Sequence, residues 1–127
     1  MLESLNLIAF LTTARPAESK DFYQEKLGLL FMGEDSGFLI FDSNGTVLRI
    51  QKAKSVAPSG QTALGWEVSD LVRQVDDLTQ AGVKMMRRNG IQQDGLGIWT
   101  APDGTMIAWF QDPDGNILTL SEHANRV

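Results

Sequence analysis

Over residues 5–12 (Leu-Asn-Leu-Ile-Ala-Phe-Leu-Thr) an apolar side chain recurs at every second position from Leu5 to Leu11. A period of two predicts a strand. A helix should follow: Pro16 suits its first turn, Phe22 and Leu27 supply part of an apolar stripe, and Gly28 suits its end. Three short runs near 29–33, 37–42 and 46–52 then predict strands. The second half repeats the plan. A strand near 62–68 leads to Ser69 or Asp70 as a helix cap. Leu71, Val75 and Leu78, at helical spacing, mark a buried stripe that stops at Gly82. Strands resume and end near 105–111 and 116–121.

The chain therefore reads as strand, helix and three strands, twice. The closing turns support the repeat: Asp42-Ser43-Asn44-Gly45-Thr46 is echoed by Asp112-Pro113-Asp114-Gly115-Asn116. Module 1 spans about 1–55 and module 2 about 60–127 of a single domain. The interval from Gly82 to Gly115 is much longer than that from Gly28 to Gly45. The excess falls around 89–104, a Gly-rich stretch with Ile98, Trp99 and a Pro102-Asp103-Gly104 turn. It is either a longer surface hairpin or a lid or dimer element.

Strand periodicity separates two faces. Leu5, Leu7, Ala9 and Leu11 oppose Asn6, Ile8, Phe10 and Thr12. Leu48 and Ile50 oppose Val47, Arg49 and Gln51. Leu64, Trp66 and Val68 oppose Ala63, Gly65 and Glu67, and Leu118 and Leu120 oppose Ile117, Thr119 and Ser121. The uniformly apolar faces should pack on the helices. The mixed faces should meet water or a partly polar cavity, because burying unpaired polar groups costs about 1–3 kcal/mol each.

The run Phe110-Gln111-Asp112-Pro113-Asp114-Gly115-Asn116-Ile117-Leu118-Thr119-Leu120, with the Phe22-Tyr23 and Val68-Ser69-Asp70 signatures, resembles the vicinal-oxygen-chelate superfamily of glyoxalases, bleomycin-resistance proteins and dioxygenases. The resemblance covers nearly the whole chain. It implies an α+β fold of two tandem βαβββ modules, whose mixed sheet curls into a cup with helices on the outer face. The bland alternative is a ferredoxin-like α+β domain. By the resemblance, the metal-ligand positions fall on Ile8, Arg49, Ala63 and Thr119, where metalloenzymes of the family carry His, Gln or Glu. None of these four residues suits that task. Arg49 has no acceptor atom and would repel a cation. No metal and no other cofactor is expected.

Composition narrows the function further. With 127 residues, 43% hydrophobic and 21% charged, the chain suits one soluble domain. No apolar run approaches membrane-spanning length, and no secretory leader is evident. There is no Cys, hence no disulfide or thiolate site, which suits a cytoplasmic location. A net charge of −5 argues against nucleic acid as a partner. Arg87-Arg88, the one basic cluster, reads as a solvated strand tip after Met85-Met86.

The candidate chemistry sits on the mixed faces. Arg49, with Gln51 on the same strand, offers a planar fork for a carboxylate, phosphate or phenolate. The structural alternative pairs Arg49 with Glu67 or with solvent. Trp99 and Trp109 are placed to stack on a flat ligand or fill a subunit interface, or else belong to the core. Phe10 and Thr119 complete the candidate ligand-binding set, and Phe38 and Phe110 are further wall candidates. Trp66 falls by parity on the helix-packed face. The only His, His123, reads as a solvated tail residue. The leading expectation is a metal-independent, homodimeric protein that binds or sequesters a small acidic or aromatic ligand. The rivals are an enzyme of the same superfamily, metal-dependent or using Glu67 as general base, and a regulatory or partner-binding module.

Overall fold

A computed structural model of the protein describes residues 1–124. The chain divides into two compact units, Met1–Ala57 and a second from Pro58 onward. Each is a βαβββ module with its own four-stranded mixed sheet.

In the first module β1 (Ile8–Thr13) is followed by α1 (Pro16–Asp21), which runs directly into a π-helical turn, Phe22–Lys26. Pro16 opens α1, where its missing N–H costs nothing. The wide turn, with Leu27 N–H bonded to the Phe22 carbonyl, brings two consecutive aromatic residues inward. Both Phe22 and Tyr23 are buried, and Tyr23 meets Phe41 with ring centroids 5.8 Å apart. Strands β2 (Leu30–Glu34), β3 (Phe38–Ser43) and β4 (Thr46–Lys52) complete a sheet of order β1-β4-β3-β2, with β1 and β4 parallel. Leu11, Ile50 and Leu39 lie side by side in register and are all buried, as are Leu48 and Phe41 one row away. This is the apolar face that the alternation predicts.

Leu5 and Leu7 depart from it. The strand begins only at Ile8, after a turn in which Leu5 N–H bonds to the Leu2 carbonyl. Leu5 and Leu7 are 64% and 76% exposed rather than packed on the helix.

In the second module β5 (Thr62–Glu67) precedes α2 (Leu71–Gln80). The Asp70 carboxylate caps α2 by accepting from Arg73 N–H, and Glu122 accepts from Leu71 N–H. Leu71, Val75 and Leu78 are buried along one stripe. Strands β6 (Trp99–Thr100), β7 (Met106–Gln111) and β8 (Ile117–Glu122) give the order β5-β8-β7-β6. The first strand after α2 is broken into two pieces on one edge of β7. Met85 bridges Phe110, β6 pairs with Met106 and Ile107, and the extra residues loop out between them.

The closing turns occupy equivalent places but differ in type. Between β3 and β4, Asn44 and Gly45 both have positive φ, a two-residue hairpin of the type I′ kind. Pro113 cannot adopt positive φ, so the second turn is longer. There Gly115 alone takes positive φ. Asp112, itself buried, accepts from the N–H groups of Asp114 and Asn116 and from the Asn116 amide.

Candidate functional site

The open face of the first sheet is set by register. Phe10, Arg49 and Ile40 form one row across β1, β4 and β3, and Thr12, Gln51 and Phe38 form the next. The structure thus brings Phe10, Arg49 and Gln51 onto one surface, with Phe38 beside them. The Arg49 guanidinium carbon lies 4.5 Å from the Phe38 ring centroid. The side chain is half-buried, yet no hydrogen bond or ion pair engages it among the described residues. The nearby Asp35 spends its carboxylate on the backbone: N–H groups of Gly37 and Phe38, both at 2.8 Å, hold its pKa below the usual value, and Arg49 adds a lesser lowering. Phe10 is 60% exposed, an aromatic ring turned outward.

On the second sheet, one row runs Glu67, Ser121, Ile107, Trp99, and the adjacent row runs Gly65, Thr119, Trp109. Glu67, Trp99, Trp109 and Thr119 therefore share a face. Trp109 is nearly fully buried and Trp99 half-buried, while Glu67 is exposed. Glu67 and His123 approach to 4.0 Å, and Ser121 Oγ lies 3.2 Å from His123 Nε2. A cavity of about 500 Å³ is lined by Glu67, Val68, Ser69, Glu122 and His123. His123 is exposed, as a tail residue should be, but it has company that its sequence position does not reveal. The strand ending at Glu122 carries it back beside β5. Trp66 is half-buried on the opposite face, in register with Leu120 and Ala108.

Arg87 is exposed, as a solvated tip should be, but both arginines of the pair make contacts that their sequence position does not show. Arg87 donates to the carbonyls of Gln93 and Gly95, fastening the loop. Arg88 is half-buried, lies 5.4 Å from the Trp109 ring centroid and donates to the Gly60 carbonyl. Gln93 ties the same loop from within, donating to Met86 and Gly97 and accepting from Arg88 N–H. No local periodicity signals these contacts, because a loop closing on itself has none. The stretch beyond it lines a second cavity of about 310 Å³, with Gln92, Asp94, Ile98, Trp99 and Thr100 in its wall.

A family model described as the glyoxalase/bleomycin resistance protein/dioxygenase superfamily matches residues 4–120. The chain belongs to this superfamily. Solved structures agree on the fold. A lactoylglutathione lyase from Agrobacterium tumefaciens superposes with a TM-score of 0.70 at 14% identity, covering 96% of each chain. A glyoxalase/bleomycin resistance protein/dioxygenase from Alicyclobacillus acidocaldarius gives 0.71 at 16% identity, covering 96% of this chain and 93% of its own. A glyoxalase family protein from Enterococcus faecalis gives 0.68 at 21%, covering 96% and 100%. At such identities the likeness carries fold alone. The curated proteins offer no significant match.

The superfamily includes metalloenzymes, and by the resemblance their ligand positions fall on Ile8, Arg49, Ala63 and Thr119. Ile8 and Ala63 offer no donor atom, and Ala63 sits in the β5 bulge between Thr62 and Leu64. Arg49 brings a positive charge. Thr119 offers one hydroxyl, already paired with Thr62 Oγ1 at 2.7 Å. Among the described residues no three His, Cys, Asp or Glu side chains group to hold an ion. A divalent cation needs several N or O donors, and these residues do not fit one.

Proposed function

We propose that this protein binds a small acidic or phenolic, partly aromatic molecule without a metal, anchored by Arg49. The observation that carries the reading is a half-buried guanidinium over Phe38 with no acceptor among the described residues. A donor-rich cation held in place and left unpaired is a preorganised receptor for an oxyanion. Gln51 adds a donor and an acceptor, and Phe10 and Phe38 add apolar walls. By the resemblance, Arg49 occupies a metal-ligand position, so its charge would take over a cation's attraction for oxygen. Sequestration is the function this chemistry supports best, within a single cytoplasmic domain built from both modules. Arg49→Met should weaken ligand about ten- to a hundred-fold, the loss of a charge-assisted hydrogen bond of about 1.5–3 kcal/mol. Arg49→Lys should recover only part of it, lacking the planar fork. Undiminished binding by the Met variant removes Arg49 from the site.

One observation favours a second reading, metal-free acid–base chemistry. Glu67 and His123 stand together at a cavity wall with Ser121 beside the imidazole. A carboxylate and an imidazole in reach of one ligand can pass a proton. Turnover of a bound ligand that Glu67→Gln abolishes, without loss of binding, would favour catalysis over sequestration.

We also infer a homodimer. Leu5, Leu7, Ile8 and Phe10 expose apolar surface in one continuous segment, which a second copy would cover.

A further inference from the structure

We propose that the open face of the second module is itself an oxyanion site, with Arg88 as anchor and the Thr62–Thr119 hydroxyl pair as its floor. The argument for it uses residues of the second module alone.

The Arg88 guanidinium stands over Trp109, at 5.4 Å from the ring centroid. A cation over an indole face is held in place by the ring quadrupole. One of its N–H groups donates to the Gly60 carbonyl, at 3.2 Å. No carboxylate pairs with it among the described residues. Acidic residues clearly outnumber basic ones in this half of the chain. A counter-charge was therefore at hand in the sequence, and the fold does not use it. The remaining guanidinium donors are left for an acceptor from outside.

The strand next to Trp109 supplies the floor. Thr119 is the direct cross-strand neighbour of Trp109 and of Gly65. The β5 bulge at Ala63 pairs Thr62 with Ile117 and Gly65 with Thr119. The two threonine hydroxyls bond each other at 2.7 Å. Two hydroxyl hydrogens serve one such bond, so one remains to be donated. Gly65 keeps the place open: a Cβ there would lie 3.3 Å from the Thr119 carbonyl oxygen and project over the floor. The remaining Arg88 donors and the one undonated hydroxyl hydrogen converge beside a gap. These donors suit a carboxylate or a phosphate.

The test uses 15N-labelled full-length protein titrated with sodium benzoate and, separately, with inorganic phosphate. The three Trp residues give three indole N–H resonances, and that of Trp109 is assigned with Trp109→Phe. The Trp109 resonance should shift saturably with at least one probe. Benzoate alone marks a planar two-oxygen ligand, and phosphate alone a tetrahedral one. Arg88→Met should weaken the response at least about tenfold, with the Trp66 resonance in place as the check on folding. Thr119→Val, which keeps the shape and removes the hydroxyl, should weaken it several-fold and serves if Arg88→Met unfolds. Arg49→Met should leave the Trp109 response intact, which separates failure of this site from failure of the other. A Trp109 resonance unmoved by both probes overturns the proposal, as does a response of full strength in Arg88→Met or, if that variant unfolds, in Thr119→Val.

Discussion

At the residue scale, the proposed chemistry rests on two arginines, and they were unequally visible. Arg49 could be read from the sequence, because strand parity places it with Gln51 and Phe10 on a mixed face, and the register confirms the row. Its stacking on Phe38 follows from the neighbouring strand, which no single-strand pattern encodes. Arg88 could not be read so. Its environment depends on a loop that folds back through Arg87 and Gln93, and loop closure leaves no period to detect. His123 is similar: a lone residue near the end gains meaning only when β8 sets it beside Glu67. A residue-scale prediction concerns the buried turn carboxylate. Asp112 accepts two backbone N–H bonds and one from the Asn116 amide. Asp112→Ala should cost about 1.5–3 kcal/mol or more, since charged hydrogen bonds are lost and donors stranded. Urea unfolding reads this as a lower midpoint at unchanged slope.

At the element scale, the helix stripes and strand alternation were legible because each element has one buried face. Leu71, Val75 and Leu78 are buried as their spacing demands, and so are Leu39, Leu48 and Ile50. Truncating one of these, Leu39→Ala, should cost about 2–5 kcal/mol through lost burial and a residual cavity. Boundaries were less legible. Leu5 and Leu7 keep the alternation but precede the paired part of β1, because hydrophobic spacing continues where backbone pairing has not begun. The strand after α2 was blurred for the opposite reason: an insertion divides it into the Met85 bridge and β6. The β2–β3 connection adds a pH prediction. Backbone N–H groups of Gly37 and Phe38 lower the Asp35 pKa, and a hydrogen bond from Lys52 lowers that of Glu34. Groups with depressed folded pKa values stabilise fully above their unfolded values, 3.8 and 4.5. That contribution is lost as pH falls through the lower folded values. The melting temperature should therefore hold between about pH 5 and 7 with respect to these groups and decline below about pH 4.5. Asp35→Asn should flatten its share of the decline.

At the scale of the whole molecule, the repeat of βαβββ modules was the strongest signal, since two independent halves tell the same story. Family membership follows from the match over 4–120. What the fold cannot convey is chemistry, because one scaffold hosts metalloenzymes and binding proteins alike. By the resemblance Ile8, Arg49, Ala63 and Thr119 stand at the metal-ligand positions, and their lack of metal-donor chemistry is what supports the proposed metal-free reading. The exposed apolar segment from Leu5 to Phe10 carries the quaternary prediction. Sedimentation at micromolar concentration should show a dimer burying more than about 1,000 Å² in total. Phe10→Glu should shift it toward a monomer of 14.0 kDa. A wild-type chain that sediments only as monomer would contradict this.

The most direct test of metal-free anchoring by Arg49 is equilibrium binding to chelator-treated protein. Calorimetric titration with a panel of aromatic carboxylates and phenolates, on wild type and Arg49→Met side by side, measures it. The account predicts at least one saturable ligand for the metal-free wild type, weakened about ten- to a hundred-fold by Arg49→Met. Binding that appears only when a divalent metal is restored, binding of equal strength in the Met variant, or no binding across the panel would contradict it.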